Sequence, residues 1–124
     1  MADARELRRG DVVLATIRFP SAPQQEKIRP VVVVQNDVGN RFSPNVIVAA
    51  ISSQLPSRTY PTSLIVREGS EIHVGTGLDR DSVVQAENIA TISKRAISQR
   101  IGQFSELAMH QIDACLRVSL ALAD

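Results

Sequence analysis

One arginine and two serines stand where two apolar segments of this chain begin and end. Arg29 lies just before the apolar run 31–34. Ser52 and Ser53 follow directly after the apolar run 46–51. If the two runs are neighbouring antiparallel strands, the start of the first lies beside the end of the second. The guanidinium and the hydroxyls would then meet at one edge of a sheet, and arginine suits bidentate contacts with phosphate. Taken alone the pattern is weak, because arginines and serines flank many strands in capping and turn roles.

The other side chains that could do chemistry are two histidines and one cysteine. His73, His110 and Cys115 show no recognisable metal-ligand spacing, so no metal site is expected. Cys115 falls among apolar neighbours in a predicted helix, where thiols are usually inert. The sequence also lacks a glycine-rich phosphate loop, and no histidine is an evident base. No cofactor is therefore expected.

The two apolar runs are interpreted as paired strands because both are rich in β-branched residues and flank the polar turn 36–44. The strand predicted at 87–92 is expected to bend or bulge near Ala90. Segment 93–101 is compatible with either a short helical turn or a strand. The further predicted strands are 12–17, 62–66, 82–85 and 87–92.

A loop and a helix complete the predicted elements. Residues 19–27, FPSAPQQEK, hold two prolines and no hydrophobic periodicity, which indicates an exposed loop that is either a connector or a binding segment. Ser105 is a suitable N-cap for an amphipathic helix ending near Leu122, with apolar residues at helical spacing. The sequence therefore predicts a mainly β fold with a C-terminal helix.

Length and composition limit the possible classes of protein. The 124 residues suffice for one domain, 1–124, and 44% hydrophobic with 22% charged residues is typical of a globular chain. A net charge of +1 argues against a broad, non-specific nucleic-acid binder. A single cysteine excludes an internal disulfide and fits a reducing cytoplasm. No apolar run is long enough to span a bilayer, and the N-terminus has no secretory h-region, so a cytoplasmic location without a membrane is expected.

A family resemblance extends over about residues 8–122 of the chain. The run IRPVVVVQNDVGNRFSPNVIVAAISSQ resembles the core of the MazF/PemK (Kid-like) toxin family. The segments RRGDVVLATI, PTSLIV, GLDRDSVVQAENIATIS and LRVSLAL resemble its other parts. The resemblance implies a small SH3-like β-barrel, MazF/CcdB-like, in the toxin of a type II toxin–antitoxin system. It also implies a homodimer and inhibition by a cognate MazE-like antitoxin.

The resemblance assigns roles to particular residues. The family's catalytic arginine precedes a proline at the start of a strand, which places it at Arg29. Its catalytic threonine follows the next apolar strand, which places it at Ser52, where this chain has serine. A second departure is Asn88 and Ala90, where relatives often have glutamine and a basic residue. The residues expected to bind RNA are Phe19, Glu26, Ser53, Gln54 and Gln85. Phe19 is the best candidate for stacking on a base.

The activity implied is sequence-specific cleavage of single-stranded RNA. RNA carries its own nucleophile, the 2′-hydroxyl. The enzyme has to align that oxygen with phosphorus and stabilise the charge on the phosphoryl oxygens, a task suited to Arg29. Ser52 would hydrogen-bond the phosphate or the 2′-hydroxyl. The expected products are a 2′,3′-cyclic phosphate and a 5′-hydroxyl, formed without a metal.

Two other functions compete with the endoribonuclease. The first is a gyrase-inhibiting CcdB-like toxin, since that family shares the fold. It relies on an aromatic residue and a glycine near the C-terminus, whereas this chain ends LALAD. The second is a catalytically inactive SH3-like binding module, for which the serine at position 52 is the motivating observation.

Overall fold

Antiparallel strands and a C-terminal helix make up most of the computed structural model, which describes residues 6–18 and 26–123. The strands are β1 (Asp11–Arg18), β2 (Glu26–Val33), β3 (Asn45–Ser52), β4 (Ser63–Val66), β5 (Ser82–Ser93) and β6 (Ile97–Gln103). The helices are α1 (Asp37–Phe42) and α2 (Glu106–Ser119), and a 3-10 turn spans Lys94–Ala96. None of the helices in these ranges is both long and apolar enough to cross a membrane.

The strands form one sheet in the order β4-β5-β3-β2-β1-β6, with every neighbouring pair antiparallel. The two apolar runs pair as the sequence predicted. Val31 lies opposite Ala50, and Val33 lies opposite Val48. This register brings the start of β2 beside the end of β3, which is the arrangement that the predicted site requires.

Both faces of the sheet are buried, and successive residues of a strand contribute to opposite faces. Val31 and Val33 belong to one apolar cluster and Val32 to the other, and all three are fully buried. The cluster of Val32 also holds Ala108 and Ile112, so α2 covers that face. Within the described residues, the other cluster consists of strand residues and the N-terminal Leu7. The sheet must therefore curve around this second core, as in a small barrel.

The segment between β2 and β3 is a helix rather than the predicted polar turn. The Asn36 side chain caps α1 by accepting a hydrogen bond of 2.8 Å from the Gly39 N–H. Asn40 is buried and donates through Nδ2 to the Gln35 carbonyl at 2.9 Å. Side-chain capping of this kind favours a single helical turn where composition alone indicates a loop.

Strand β5 is continuous over the two strands predicted at 82–85 and 87–92, and it contains a bulge close to the predicted position near Ala90. Ala49 of β3 lies opposite Ile89, whereas the next residue, Ala50, lies opposite Gln85. Residues 86–88 are therefore the extra residues of a bulge in β5. Segment 93–101, for which the sequence allowed either a helical turn or a strand, contains both: the 3-10 turn is followed by β6.

Helix α2 begins where the sequence predicted and ends earlier. The Ser105 hydroxyl accepts a hydrogen bond of 3.2 Å from the Ala108 N–H, which confirms the N-cap. The helix ends at Ser119 rather than near Leu122. Leu120 is 54% exposed and contributes little to the core, whereas Ile112 is fully buried.

A glycine fixes the loop that leads into β5. Gly77 has a φ of +77°, and a Cβ atom at this position would lie 2.2 Å from the Ile101 carbonyl oxygen. Both the left-handed backbone and the close approach of β6 require a residue without a side chain. The segment 78–80 is thereby held against the sheet.

The Gly77→Ala substitution is expected to destabilise the fold by at least about 2 kcal/mol, because backbone strain and a collision with a carbonyl act together. The free energy of unfolding is measured by urea denaturation that is monitored by circular dichroism. Gly69→Ala is the matched control, since Gly69 has a φ of +80° and open space around the Cβ position. Equal losses of stability in the two variants would contradict the proposed role of the Ile101 contact.

Candidate active site

A pocket of about 370 Å³ opens at the edge of the sheet where β2 begins and β3 ends. Residues 27–30 and 51–53 form the part contributed by these two strands. Residues 78–80, which precede β5, form a further wall together with Ser82. The pocket therefore combines three segments that are distant in the chain and adjacent in the sheet.

Arg29 and Ser52 come together at this pocket. The register of β2 with β3, continued two residues beyond the Val31–Ala50 pair, places Arg29 opposite Ser52. Because side chains alternate along a strand, both point to the same face of the sheet. Both residues are half-buried and line the pocket. The convergence expected from the sequence is thus present.

The pocket opens here because the ladder between the two strands stops. The paired residues of β2 and β3 begin at Val31, immediately after Pro30. Proline has no N–H to donate, so it cannot extend a ladder of hydrogen bonds. On its other side β2 stays paired, with Arg29 opposite Ala15 of β1. Arg29 is therefore held by one neighbouring strand while its other side borders the pocket.

Ser52 has a local structural contact as well as a place in the pocket. Its Oγ accepts a hydrogen bond of 3.0 Å from the Gln54 N–H, which stabilises the turn after β3. A serine hydroxyl can accept through its oxygen and donate its proton at the same time. The turn therefore fixes the oxygen and leaves the O–H able to donate to an anion in the pocket.

The pocket contains more positive than negative charge. Its cationic residues are Lys27, Arg29 and Arg80, and its carboxylate is Asp79. The Arg80 Nε lies 3.0 Å from Asp79 Oδ1, and this hydrogen bond lowers the pKa of Asp79 and raises the pKa of Arg80. The one carboxylate is thus ionised and paired, so the site favours an anionic ligand.

The chain was compared with known proteins. A family model described as a PemK-like, MazF-like toxin of type II toxin–antitoxin systems matches residues 8–120. The chain belongs to this toxin family. It is 39% identical to Endoribonuclease EndoA of Bacillus subtilis over 118 residues, which is 95% of this chain and 97% of EndoA. The resemblance identified in the sequence is confirmed.

Solved structures of MazF toxins share the fold. A mycobacterial endoribonuclease in complex with its cognate antitoxin superposes with a TM-score of 0.75 at 22% identity, covering 95% of this chain and 98% of that one. The MazE–MazF complex of Deinococcus radiodurans gives 0.71 at 14% identity, covering 96% and 99%. The predicted mainly β, MazF-like fold with a C-terminal helix is therefore confirmed.

Of the predicted RNA-binding residues that the structure describes, one lines the pocket. Ser53 lines it, whereas Gln54 is exposed beyond it. Glu26 is exposed and forms a 2.8 Å ion pair with Arg18 at the edge of the sheet. Phe19 lies outside the residues that the structure describes.

Gln85 occupies a different position from the other predicted contacts. It lies in β5 opposite Ala50, half-buried, on the face of the sheet that carries Arg29 and Ser52. It does not line the pocket, so any contact with RNA would lie farther along this face.

The sequence did not single out Lys27, Asp79 or Arg80, which the structure places in the pocket. The signal available was the basic residue in GLDRD, just before a strand.

A cysteine nucleophile and a metal centre receive no support from the described residues. Cys115 is buried in α2, and its burial raises the pKa of the thiol, which disfavours the reactive thiolate. Within residues 6–18 and 26–123, no three His, Cys, Asp or Glu side chains are grouped so that they could hold a metal ion.

Proposed function

We propose that this toxin is an endoribonuclease that cleaves single-stranded RNA at specific sequences, with Arg29 and Ser52 as its catalytic residues. The observation that carries the proposal is that these two residues line the same positively charged pocket, where β2 begins and β3 ends. Family membership and the relation to EndoA support the endoribonuclease over the gyrase-inhibiting alternative.

The cleavage step is an internal displacement at phosphorus. The 2′-oxygen loses its proton and bonds to the adjacent phosphorus, and the bond from phosphorus to the 5′-oxygen breaks. The 5′-oxygen takes up a proton, so one fragment ends in a 2′,3′-cyclic phosphate and the other in a 5′-hydroxyl. Arg29 stabilises the charge on the phosphoryl oxygens through its planar, bidentate guanidinium. Arginine stays protonated in proteins and is a poor proton donor, so this contribution is electrostatic.

Ser52 holds the scissile phosphate by donating its O–H to a phosphoryl oxygen. The half-buried hydroxyl is oriented by the bond from the Gln54 N–H at 3.0 Å, so little freedom is lost when RNA binds. Serine lacks the methyl group by which threonine restricts its rotamer. The turn contact partly replaces that restriction in this chain.

Ser52→Ala is expected to slow cleavage by about 10- to 100-fold, the usual cost of one hydrogen bond to a charged group. Ser52→Thr should retain or raise the rate, because the hydroxyl remains and its rotamer is restricted. The rates are measured on a fluorescent oligoribonucleotide containing a site cut by the wild type. The control is Ser57→Ala, an exposed serine outside the pocket.

A larger loss in Ser53→Ala than in Ser52→Ala would assign the role to the neighbouring hydroxyl instead. The melting temperature of each variant is measured as well. A lower melting temperature would show that the turn after β3 has been destabilised, whereas an unchanged one assigns the slower cleavage to the site. A folded wild type that cuts no RNA under any condition would favour the inactive binding module.

We infer that the toxin is inhibited by a cognate MazE-like antitoxin. The solved relatives from a mycobacterial species and from Deinococcus radiodurans are complexes with their antitoxins, which supports the inference. We also propose that the toxin acts in the cytoplasm, where it would meet RNA and such a partner. If production of the toxin arrests growth, co-production of a small protein encoded beside its gene should restore growth, and continued arrest would contradict that pairing.

We also propose that the toxin is a homodimer. Apolar side chains remain exposed around the end of α2, where Val118, Leu120 and Leu122 are each more than half exposed. An unpaired apolar patch of this kind favours association. Sedimentation equilibrium should give twice the chain mass, and a monomer at micromolar concentration would contradict the proposal.

A further inference from the structure

Arg80 is a cationic residue of the pocket that the cleavage step above does not use. It lies on the wall formed by residues 78–80, whereas Arg29 lies on the wall formed by β2. We propose that Arg80 is a substrate-binding residue that holds an RNA phosphate next to the scissile one. This inference rests on the proposed endoribonuclease function and adds a second backbone contact to the same site.

The guanidinium of Arg80 is oriented for such a contact. Its Nε donates to Asp79 Oδ1 at 3.0 Å. Among the residues that the structure describes, this is its only hydrogen-bond or ion-pair partner, so both terminal nitrogens can donate to a ligand. A guanidinium fixed through Nε presents its two terminal N–H groups in a fork that matches a phosphate. The Arg80 and Asp79 side chains are 65% and 80% exposed, so their ion pair leaves the terminal nitrogens of Arg80 accessible to RNA.

The backbone that carries Arg80 is anchored on both sides. The buried Ser82 donates its hydroxyl to the Arg80 carbonyl at 3.0 Å. The Asp81 carboxylate accepts hydrogen bonds from the Glu68 N–H at 2.7 Å and from Arg67 Nη1 at 3.2 Å. On the other side, Gly77 packs against the Ile101 carbonyl. Arg80 therefore extends from a fixed segment, which reduces the entropy lost when it binds a ligand.

The charge and size of the pocket favour two phosphates of one strand over an isolated anion. Three cationic side chains face one carboxylate, and the carboxylate is already paired with Arg80. At about 370 Å³ the pocket is within the size range of sites for small organic ligands and exceeds the space of one phosphate. Arg29 and Arg80 lie on different walls, so each can contact a different phosphate of the strand. Contacts with the sugar–phosphate backbone of the RNA set its register and do not read its base sequence.

The experiment measures kcat and KM on a short oligoribonucleotide containing a wild-type cut site, over a series of salt concentrations. Arg80→Ala should raise KM by about tenfold with kcat unchanged, as expected for one lost charge-assisted contact. The slope of log(kcat/KM) against log salt should become shallower by about 0.7, the value for one phosphate contact on a single strand. Arg80→Lys should restore the slope while recovering KM only in part, because lysine keeps the charge without the fork.

Arg95→Ala is the charge-matched control. Arg95 is exposed in the 3-10 turn, next to the pairing of Ser93 with Asn45 at the opposite end of β3 from the pocket. It should leave both KM and the salt slope unchanged. Equal effects of Arg80→Ala and Arg95→Ala would overturn the inference. So would a loss of preference for one base at the cut site, because that result would make Arg80 a reader of a base.

A binding measurement separates this inference from the proposed function. Fluorescence anisotropy with a copy of the oligoribonucleotide that carries one 2′-deoxy sugar at the cut site reports affinity without cleavage. If the wild type cuts RNA and Arg80→Ala binds this copy as tightly as the wild type, only the inference about Arg80 fails. If the wild type cuts no RNA, the proposed function fails, and anisotropy with polyuridylate still determines whether Arg80 holds a phosphate.

Discussion

The Arg29→Ala variant is expected to lose RNA cleavage by about 100- to 1,000-fold, the usual cost of removing one group that stabilises charge in a transition state. Arg29 lines the pocket together with Ser52, at the point where the ladder between β2 and β3 has ended. Lys27 is the other cation that β2 contributes to the described pocket, and a lysine cannot form the bidentate contact of a guanidinium. Single-turnover rates on the oligoribonucleotide used for Ser52 measure the effect on the chemical step.

Two further variants make this result interpretable. Arg29→Lys should recover part of the rate, because a lysine keeps the charge but cannot form two parallel hydrogen bonds with a phosphate. Arg95→Ala again removes an arginine far from the pocket and should cut at the wild-type rate. Arg29 is half-buried in a strand, so the melting temperature of each variant must be measured beside its rate. A folded Arg29→Ala protein with the wild-type rate would exclude Arg29 from the site.

The sequence predicted the pairing that builds the site because its signal is local and strong. The runs 31–34 and 46–51 are β-branched, lie close in the chain and flank polar residues, which favours an antiparallel pair. An antiparallel pair fixes which ends meet, so the convergence of Arg29 with Ser52 followed from the topology alone. Their chemical roles came from the family resemblance, since the residue types by themselves are equally typical of turns.

Helix α1 could not be predicted because contacts distant in sequence stabilise it. Its segment contains glycine and asparagine, which have low helix propensity. The Asp37 carboxylate accepts hydrogen bonds from the Arg9 N–H at 2.7 Å and from Asn40 Nδ2 at 3.0 Å, and these bonds lower the pKa of Asp37. Lys94 donates to the Asn40 carbonyl from beyond β5. Local propensity indicated a turn, and these tertiary contacts determined a helix.

Arg80 was missed for a related reason. Its place in the pocket depends on the strand order β5-β3-β2, which brings the residues before β5 beside the end of β3. The order of strands that are not consecutive in the chain is not contained in their hydrophobic pattern. The loop also depends on Gly77, whose close approach to Ile101 involves a strand that the sequence left undecided.

Cleavage by the wild type is expected to continue in excess EDTA and to stop when one 2′-hydroxyl is removed. The described residues contain no group of His, Cys, Asp or Glu side chains that could hold a metal ion to activate water. The pocket instead supplies cationic side chains, which stabilise charge at phosphorus without providing a nucleophile. In the proposed mechanism the nucleophile is the 2′-oxygen of the RNA, which DNA lacks. The assay compares two oligoribonucleotides that differ by one 2′-deoxy sugar at the cut site.

The two copies distinguish the possible nucleophiles and the need for a metal. The normal copy should be cut in EDTA, giving a 2′,3′-cyclic phosphate and a 5′-hydroxyl that mass spectrometry identifies. The deoxy copy should survive, although it should bind with nearly the same affinity because its phosphates are unchanged. Cutting of both copies would show that water attacks, and loss of all cutting in EDTA would reveal a metal site. The deoxy copy needs only one altered sugar because, in the proposed mechanism, the attacking 2′-oxygen and the phosphorus belong to the same nucleotide step.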